Sequence, residues 1–402
     1  MKKKKWLKFR HRVVTEIARV ILTPYILLRY RVKYTRFKEQ GKRAYLVLLN
    51  HQTPFDQFFV GLCFKGPIYY LATEDLFSKG WLSSVIRWLI APIPIKKQTL
   101  DISAVKTCIR VANEGGTIAI APEGNRTYSG RTEYMNPSIA SLVRKIGLPV
   151  VLFRIEGGYG VEPRWSDVIR RGKTRAYVHS VIEPTEYESL TNDELFERIE
   201  RALYVDEAVA DEHFYHKKRA EYLERAMYVC PYCGLSEFES RGCEIECLKC
   251  HRKITYGTDK TLTGVGFDFP FEFVADWYSY QKKFVNSLDV TSDTASPLYC
   301  DRSGLYEVII NERKVLLRKE AEISLYGDRI VIDEGLDDPI ELLFTDISAI
   351  SVLGRNKLNI YHGKRVFQLK SGKRFNALKY VNIYYRHKNI VRGEINAEFL
   401  GL

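Results

Sequence analysis

The stretch that decides the fold of this 402-residue chain is Tyr45-Leu46-Val47-Leu48-Leu49-Asn50-His51-Gln52-Thr53-Pro54-Phe55-Asp56. Five apolar residues in a row, followed at once by polar residues, are typical of a buried strand that ends in a loop. Pro54 predicts a turn, and Asp56 then falls near the start of a helix. A strand that leads through a short turn into a helix is the repeating unit of α/β proteins.

Outward from this stretch, strand-like and helix-like segments alternate between residues 45 and 182. The pattern predicts strands at Tyr45–Leu49, Ile68–Ala72, Gly116–Ala121, Pro149–Ile155 and Thr174–Ile182, and helices at Ser103–Glu114, Ser138–Ile146, Asn192–Ala202 and Ala208–Met227. The alternation predicts an α/β domain with a mainly parallel sheet.

His51 is placed for chemistry, because ligands of open α/β sheets bind beyond the carboxyl ends of the strands. His51 and Asp56 are too far apart in sequence to share a helix face, so the turn between them must bring the side chains together. In that geometry the carboxylate orients the imidazole, and the other ring nitrogen can deprotonate a bound hydroxyl. The alternative is an exposed loop histidine beside a helix-capping aspartate.

Two further motifs follow along the chain. The predicted strand Gly116–Ala121 runs into Pro122-Glu123-Gly124-Asn125-Arg126, where glycine allows close backbone approach and arginine offers a fork suited to phosphate. Upstream, Ile93-Pro94-Ile95 ends in Lys96 and Lys97, two cations that suit the same anion. A surface ion pair and a solvated lysine pair are the alternative interpretations.

The order and spacing of these motifs resemble the lysophospholipid acyltransferase family, which includes 1-acylglycerol-3-phosphate acyltransferases. Asn50-His51-x4-Asp56 is similar to its catalytic block, Pro122-Glu123-Gly124-x-Arg126 to its acceptor-binding block and Leu148-Pro149-Val150 to its fourth block, over residues 10–205. The resemblance implies His51 and Asp56 as catalytic residues. It implies Lys97, Glu123, Gly124 and Arg126 as substrate-binding residues.

The implied function is transfer of a fatty acyl group from acyl-CoA or acyl-carrier protein to the free hydroxyl of 1-acylglycerol 3-phosphate. The sequence departs from the family pattern at several positions, and these departures leave other acceptors open. They are Ala121 for Phe, Asn125 for Thr, Lys97 for Arg, Leu152 for Pro, and Asn136-Pro137-Ser138 for a Lys-Gly stretch. The alternatives are another lysophospholipid or glycolipid acceptor, or a non-catalytic membrane scaffold.

The net charge of +13 arises at the N-terminus, since residues 1–43 hold 15 Lys and Arg against Glu16 and Glu39. Such an arm attracts an anionic membrane surface or nucleic acid. Because the rest of the chain is neutral, nucleic acid is the poorer candidate. Residues 13–28 are too short and too charged to span a bilayer, which favours an interfacial amphipathic helix. The prediction is a cytoplasmic protein bound peripherally to the membrane.

Five of the eight cysteines lie within residues 230–250, which indicates a metal site in a reducing compartment rather than disulfides. Two C-x2-C pairs, Cys230 with Cys233 and Cys247 with Cys250, predict a zinc ribbon with a structural Zn²⁺. Cys243 and His251 are the spare candidate ligands, and a redox pair is the weaker alternative.

The remaining sequence predicts a modular chain. The expected segments are a membrane-associating arm (1–43), an acyltransferase domain (44–226), a zinc ribbon (227–258), a linker helix (259–290) and a β domain (291–402). Short alternating strands followed by one helix resemble the pleckstrin-homology or GRAM pattern, a small β-barrel capped by a helix. Such a domain suggests a lipid headgroup or a protein partner as its ligand.

Overall fold

The computed structural model describes residues 5–77, 81–95, 101–309 and 313–401. The chain forms two compact units. One comprises Met1–Pro163 with Ile169–Tyr215, and the other comprises Arg164–Val168 with His216–Leu402.

The first unit is built on a seven-stranded sheet. Its strands are β1 (Val32–Tyr34), β2 (Leu46–Leu49), β3 (Ile68–Thr73), β4 (Ile93–Ile95), β5 (Thr117–Ile120), β6 (Val150–Glu156) and β7 (Thr174–Ile182). They lie in the order β1-β7-β6-β2-β5-β3-β4. Every neighbouring pair is parallel except β6 with β7, which is antiparallel. The predicted α/β domain with a mainly parallel sheet is confirmed.

Helices flank this sheet. They are α1 (Phe9–Tyr30), α2 (Asp56–Cys63), α3 (Trp81–Ile90), α4 (Ile102–Asn113), α5 (Ser138–Ile146), α6 (Gly158–Val161), α7 (Pro184–Glu188) and α8 (Asn192–Leu203). The helix expected at 208–227 does not form. The structure has only a short 3-10 turn there, Leu223–Arg225, and Tyr222 lies in the left-handed region at φ +74°, which an α-helix does not accommodate. Among the described residues, no helix is both long and apolar enough to cross a bilayer.

Strand β2 is buried on both faces of the sheet, which explains the apolar run from Tyr45 to Leu49. All four of its side chains are buried, and they alternate between two cores. Leu46 and Leu48 join the core under α4, α5 and α8, whereas Val47 and Leu49 join the core under α1 and α2. A strand covered by helices on both faces needs a continuous apolar run, as the sequence has.

The second unit begins with the cysteine-rich segment. Its elements are β8 (Val229–Cys230), β9 (Gly234–Leu235), β10 (Phe238–Arg241), β11 (Glu244–Cys247), β12 (Lys253–Tyr256), β13 (Leu262–Gly264) and α9 (Val274–Ser287). Strands β8 and β9 form a hairpin, and β10 to β13 form an antiparallel sheet in sequence order.

A seven-stranded antiparallel sheet and a helix complete this unit. The elements are β14 (Tyr299–Ile309), β15 (Arg313–Leu325), β16 (Arg329–Ile332), β17 (Ile340–Leu343), β18 (Ile347–Leu353), β19 (Lys357–His362), β20 (Arg365–Lys370) and α10 (Leu378–Val391). The order is β17-β16-β15-β14-β20-β19-β18.

The expected barrel is not closed, because the edge strands β17 and β18 do not pair within the described residues. Helix α10 lies at this opening instead. The ring of Tyr384 packs edge-on against Phe344 at 5.4 Å, and its hydroxyl donates to the carbonyl of Ile347 at 2.8 Å. The helix thus covers apolar surface that barrel closure would otherwise have to cover.

Candidate active site

Strands β2, β5 and β6 end at one edge of the first sheet, and the residues that follow them meet there. His51 follows β2 and the loop from Ala121 to Arg126 follows β5. The backbone N–H of Thr127 donates to the carbonyl of His51 at 3.2 Å, which joins the two loops. The topology therefore brings together motifs that lie some 70 residues apart, as His51 and Glu123 do.

His51 and Asp56 form a hydrogen-bonded pair, with Nδ1 of the imidazole 2.8 Å from Oδ2 of the carboxylate. Asp56 is the first residue of α2, so the turn at Pro54 folds the carboxylate back toward the histidine. Its side chain is 2% exposed, against 28% for His51. An ionised carboxylate only accepts, so Nδ1 carries the ring proton and Nε2 is left as a base.

Further donors fix the Asp56 carboxylate. The backbone N–H of Gln52 donates to Oδ2 at 2.7 Å, and the backbone N–H and hydroxyl of Thr53 donate to Oδ1 at 2.9 and 2.7 Å. Three donors besides the imidazole hold one rotamer of this side chain. The fixed carboxylate in turn holds the imidazole of His51 in one orientation, which general-base catalysis requires.

Glu123 turns toward the protein backbone. Its Oε1 accepts from the N–H of His51 at 2.8 Å, and its Oε2 accepts from the N–H of Glu133 at 3.0 Å. Burial raises the pKa of Glu123 to about 8, while these two N–H donors act in the opposite direction. In this geometry the carboxyl group of Glu123 stabilises the conformation of the loop that carries His51. Its contact with substrate stays a prediction.

Gly124 and Arg126 stand where the sequence placed them, on the loop after β5. Gly124 has φ +68°, and no atom of the described residues lies within 4 Å of a Cβ built on it. Glycine is thus required by the backbone conformation rather than by crowding. The half-buried Arg126 follows two residues later, next to the Thr127 amide that bonds His51. Lys97, the other predicted cation, lies outside the described residues.

An apolar pocket of about 380 Å³ opens beside the His51–Asp56 pair. His51 and Asp56 line it, and the rest of its wall comes mainly from apolar residues of α1, α2 and the strand edge, among them Leu22, Ile26, Phe58, Leu62, Ile68 and Leu71. A base at the wall of an apolar cavity of this size suits a substrate with a long hydrocarbon part.

Two residues of the site were missed by the sequence reasoning. Asn50 joins β2 to β6, because its amide donates to the carbonyl of Ile155 and accepts from the N–H of Ile155, both at 2.8 Å. Glu207, 5% exposed, accepts from the side chain of Gln52 at 3.1 Å and from the N–H of Gly157. Asn50 stands in the deciding stretch itself, but nothing in the sequence near Glu207 signals its role.

The four predicted metal ligands gather in the second unit. The sulfur atoms of Cys230, Cys233, Cys247 and Cys250 all lie within 4.8 Å of one another. Two of the separations are 3.8 Å, Cys230 to Cys250, and 3.7 Å, Cys233 to Cys247. Four thiolates at about 2.3 Å from a tetrahedral zinc ion stand about 3.8 Å apart, so the residues present fit this metal.

The spare candidates are not part of this cluster in the described residues. The Nδ1 atom of His251 instead faces Glu246 Oε1 at 3.1 Å. Cys63 and Cys108 are buried in the first unit, and burial raises the pKa of each thiol to about 12. Such thiols pack as small apolar side chains rather than react as nucleophiles.

Comparison with known proteins finds a family match for the segment that holds His51 and Asp56. Residues 30–156 match the Acyltransferase family model. The match includes His51, Asp56 and the loop to Arg126, so the segment that holds these residues is similar to acyltransferase domains. The acyltransferase match ends before the cysteine cluster and the antiparallel sheets.

Curated relatives match over shorter stretches. The chain is 24% identical over 106 residues to the chloroplastic 1-acyl-sn-glycerol-3-phosphate acyltransferase BAT2 of Brassica napus, covering 26% of this chain and 30% of the relative. It is 33% identical over 60 residues to the 1-acyl-sn-glycerol-3-phosphate acyltransferase of Bacillus subtilis strain 168, covering 15% and 30%. The chain therefore spans about a third of the length of these relatives.

Among solved structures, the 1-acyl-sn-glycerophosphate acyltransferase PlsC of Thermotoga maritima aligns with a TM-score of 0.40 and 22% identity, covering 48% of this chain and 76% of that one.

Proposed function

We propose that this protein transfers a fatty acyl group from a thioester, acyl-CoA or acyl-carrier protein, to the free hydroxyl of 1-acylglycerol 3-phosphate. The single observation that carries the proposal is the His51–Asp56 pair, joined at 2.8 Å, at the wall of an apolar pocket. The family match over residues 30–156 and the relatives named as 1-acylglycerol-3-phosphate acyltransferases support the reaction class.

The reaction begins when Nε2 of His51 removes the proton of the acceptor hydroxyl as its oxygen attacks the thioester carbonyl. The tetrahedral intermediate collapses, the carbon–sulfur bond breaks, and the imidazolium returns the proton to the leaving thiolate. Asp56 stabilises the imidazolium between these steps through its bond to Nδ1. An ester and a free thiol result, and no acyl group becomes attached to the protein.

The acceptor phosphate is assigned to the cationic side of the site. Arg126 stands on the loop after β5, beside the strand that carries His51, and Lys97 is proposed to join it from the segment after β4. Gly124 allows this loop to pass close to a ligand, because a glycine has no side chain in the way. The guanidinium of Arg126 suits the bidentate hydrogen bonding of a phosphate.

Membrane attachment is proposed for α1 and its neighbour α3, which pack together as Arg10 Nε donates to the carbonyl of Trp88 at 2.8 Å. These helices leave large apolar side chains in solvent, with exposed fractions of 82% for Phe9, 75% for Val20, 81% for Leu28 and 78% for Trp81. With the basic residues of the N-terminal arm, this face suits peripheral attachment to an anionic lipid surface. Flotation with anionic and neutral vesicles checks this assignment.

The four-cysteine cluster is proposed to hold a structural Zn²⁺. Four thiolates complete the tetrahedral shell and leave no position for a substrate, so the metal would stabilise the fold of the cysteine-rich segment. The adjoining antiparallel sheet and α10 are proposed to bind a lipid headgroup or a protein.

The proposed function is tested with purified protein, a labelled acyl donor and a panel of lysolipids that includes 1-acylglycerol 3-phosphate. We expect turnover with the wild type and its loss in His51→Ala, since this variant lacks the imidazole that takes the hydroxyl proton. His179→Ala, at an exposed histidine on β7, is the matched control and should keep full activity. Turnover that survives His51→Ala would discard the mechanism, and no turnover with any acceptor would favour a scaffold.

A further inference from the structure

A second group of cations lies at the sheet edge where His51 lies. Strand β6 is parallel to β2, β7 is antiparallel to β6, and β1 is parallel to β7. The amino ends of β7 and β1 therefore lie at the same edge as the carboxyl end of β2. The residues at these amino ends are strongly basic. We call them the basic rim: Arg31, Lys33, Arg171, Lys173 and Arg175.

All five residues of the basic rim are exposed. Lys33 of β1 and Arg175 of β7 are partners in the ladder, so their side chains stand next to each other on one face of the sheet. Like charges brought together in this way repel each other in the absence of a ligand. Their placement therefore indicates a partner that carries several negative charges.

Carboxylates near the rim reduce this charge without cancelling it. Asp211 and Glu212 line the same cleft as Arg171 and Lys173. Glu212 lies 3.4 Å from Lys173 and 3.6 Å from Arg175, and the two cations remain 58% and 54% exposed. Long, exposed ion pairs contribute little, so a multiply charged anion can displace them. Glu156 of β6 is the ladder partner of Arg175 on its other side, so five cations face three carboxylates.

An aromatic pair stands in the same cleft. The rings of His213 and Tyr215 lie 5.9 Å apart at 25°, and Tyr215 is 55% exposed. Phe214 between them is buried, which anchors the segment and turns its neighbours outward. Arg171 and Tyr215 exchange both backbone hydrogen bonds at 3.0 Å, so a cation of the rim stands directly beside this ring.

Cations beside an exposed aromatic face are the combination that binds a nucleotide, since phosphates pair with the cations and a base stacks on the ring. The cleft has a volume of about 770 Å³, which is ample for a nucleotide. A lipid headgroup or an acidic protein surface would use the cations but has no base for the aromatic pair.

The rim is also at the right distance from His51. In the sheet order, β7 is two strands and β1 three strands from β2, which corresponds to roughly 10 and 14 Å. The pantetheine arm of coenzyme A is about as long as five extended residues, or roughly 17 Å. A nucleotide on the rim can thus present its thioester at the catalytic imidazole.

The acceptor and the rim lie on opposite sides of the catalytic strand. Arg126 follows β5, whereas Lys173 precedes β7, and β2 lies between these two strands. The two negatively charged substrates would approach His51 from different sides and would not compete for one cationic site. This arrangement suits a direct transfer that needs both substrates bound together.

We propose that the basic rim and the aromatic pair bind the adenine nucleotide of a coenzyme A thioester, which makes acyl-CoA the acyl donor of this protein. The proposal rests on the proposed function for the role of the bound molecule, but the binding itself can be measured without turnover.

Calorimetric titration of the full chain with free CoA is the test. Arg171→Ala combined with Lys173→Ala should weaken CoA binding by about tenfold or more, because two charge-assisted contacts are lost. Tyr215→Ala should also weaken it, and Tyr215→Phe should restore it, since stacking needs only the ring. Lys42→Ala, an exposed cation at the opposite edge of the sheet, is the matched control.

Two further measurements separate the possible outcomes. Turnover of an acyl-pantetheine, which lacks the nucleotide, should be the same in the rim variants and the wild type. Rim variants that bind CoA like the wild type, or a wild type that does not bind CoA, would overturn the proposal. So would turnover that requires acyl-carrier protein, or rim variants that lose only vesicle binding. Loss of CoA binding in the rim variants supports the site even if no acceptor is acylated.

Discussion

Glu207 lies 155 residues beyond Gln52 in the sequence, yet its buried carboxylate accepts a hydrogen bond from the Gln52 side chain at 3.1 Å. The same carboxylate accepts from the N–H of Gly157, and the N–H of Glu207 donates to the carbonyl of Gly130 at 3.0 Å. One residue thus ties together the loops that follow β2, β5 and β6. Gln52, the residue next to His51, is therefore held by a side chain from outside the segment that matches the Acyltransferase family model.

Removing this carboxylate is expected to slow the reaction without unfolding the protein. In Glu207→Ala the Gln52 amide and the Gly157 N–H lose their acceptor, and the loop of His51 shifts. We expect kcat to fall between about 10- and 100-fold with KM for the donor little changed, since small misplacements of a catalytic group have effects of this size. Steady-state kinetics with both substrates varied measures the two constants.

The conservative variant distinguishes positioning from general destabilisation. Glu207→Gln keeps one amide oxygen as an acceptor and should recover part of kcat. Asp206→Asn, at the neighbouring half-exposed carboxylate that pairs with Arg131, is the matched control. If Glu207→Ala lowers the melting temperature but keeps the wild-type kcat at 20 °C, the residue has no positioning role.

The role proposed for the Asp56 carboxylate allows a sharper test. Asp56→Asn preserves the shape of the side chain but replaces one oxygen acceptor by an NH2 donor. Oδ2 accepts from Nδ1 of His51 and the N–H of Gln52, whereas Oδ1 accepts from the N–H and hydroxyl of Thr53, so the amide nitrogen faces an N–H donor in either orientation. With the nitrogen at the Oδ2 position, the imidazole must carry its proton on Nε2 and cannot act as a base. With the oxygen there, Nδ1 keeps its acceptor, but the neutral amide no longer stabilises the imidazolium. We expect kcat to fall by about 10³–10⁴-fold.

Single-turnover kinetics with a rapid quench measures the chemical step of Asp56→Asn directly. Asp193→Asn, at an exposed aspartate near the start of α8, serves as the control for loss of one carboxylate. A variant at residue 56 that keeps the wild-type rate would mean that the imidazole is oriented by some other group.

Much of this site is predictable from local sequence. The buried strand before Asn50, the turn at Pro54 and the helix that begins at Asp56 are encoded within twelve residues, and parallel strands place the Glu123 loop beside them. Features of the site that follow from strand order and turn residues can therefore be derived from one sequence. The four cysteines are predictable as a metal site for the same reason, because their paired C-x2-C spacing is a short-range signal.

Other features depend on contacts that no local pattern encodes. Glu207 is one acidic residue in a charged segment, and only the fold brings it to Gln52. Glu123 has the sequence context of a ligand-binding residue, yet both of its oxygens accept from backbone N–H groups. The apolar spacing of residues 208–227 predicts a helix, but there Phe214 fills a gap against Gly160 and Gly172, and tertiary packing overrides the local preference.

The raised pKa of Glu123 makes stability depend on pH. A carboxyl group with a pKa near 4.3 in the unfolded chain and about 8 in the folded protein binds more protons when folded. Its contribution to stability is therefore complete below about pH 4 and is lost as the pH rises through 8. We expect Glu123→Gln, which cannot ionise, to gain stability relative to the wild type as the pH is raised from 5 to 9.

Urea unfolding at a series of pH values measures this difference. Glu188→Gln, at an exposed glutamate, is the control, and its difference from the wild type should stay flat over the same range. A difference for Glu123→Gln that is also flat would show that the two N–H donors keep this carboxylate ionised throughout.

The cysteine cluster predicts one zinc ion per chain and assigns it to four particular sulfur atoms. Cys247→Ser is expected to lose the metal and to lower the melting temperature of the second unit, because Cys247 is buried at the amino end of the second C-x2-C pair. Cys243→Ser is the matched control, since this thiol lies four residues away and outside the cluster.

Metal analysis of purified protein should give one equivalent of zinc for the wild type and for Cys243→Ser. A strong chelator should lower the melting temperature of these two proteins and leave Cys247→Ser unchanged, because only a bound ion can be withdrawn. Loss of zinc in Cys243→Ser with retention in Cys247→Ser would require a different set of ligands.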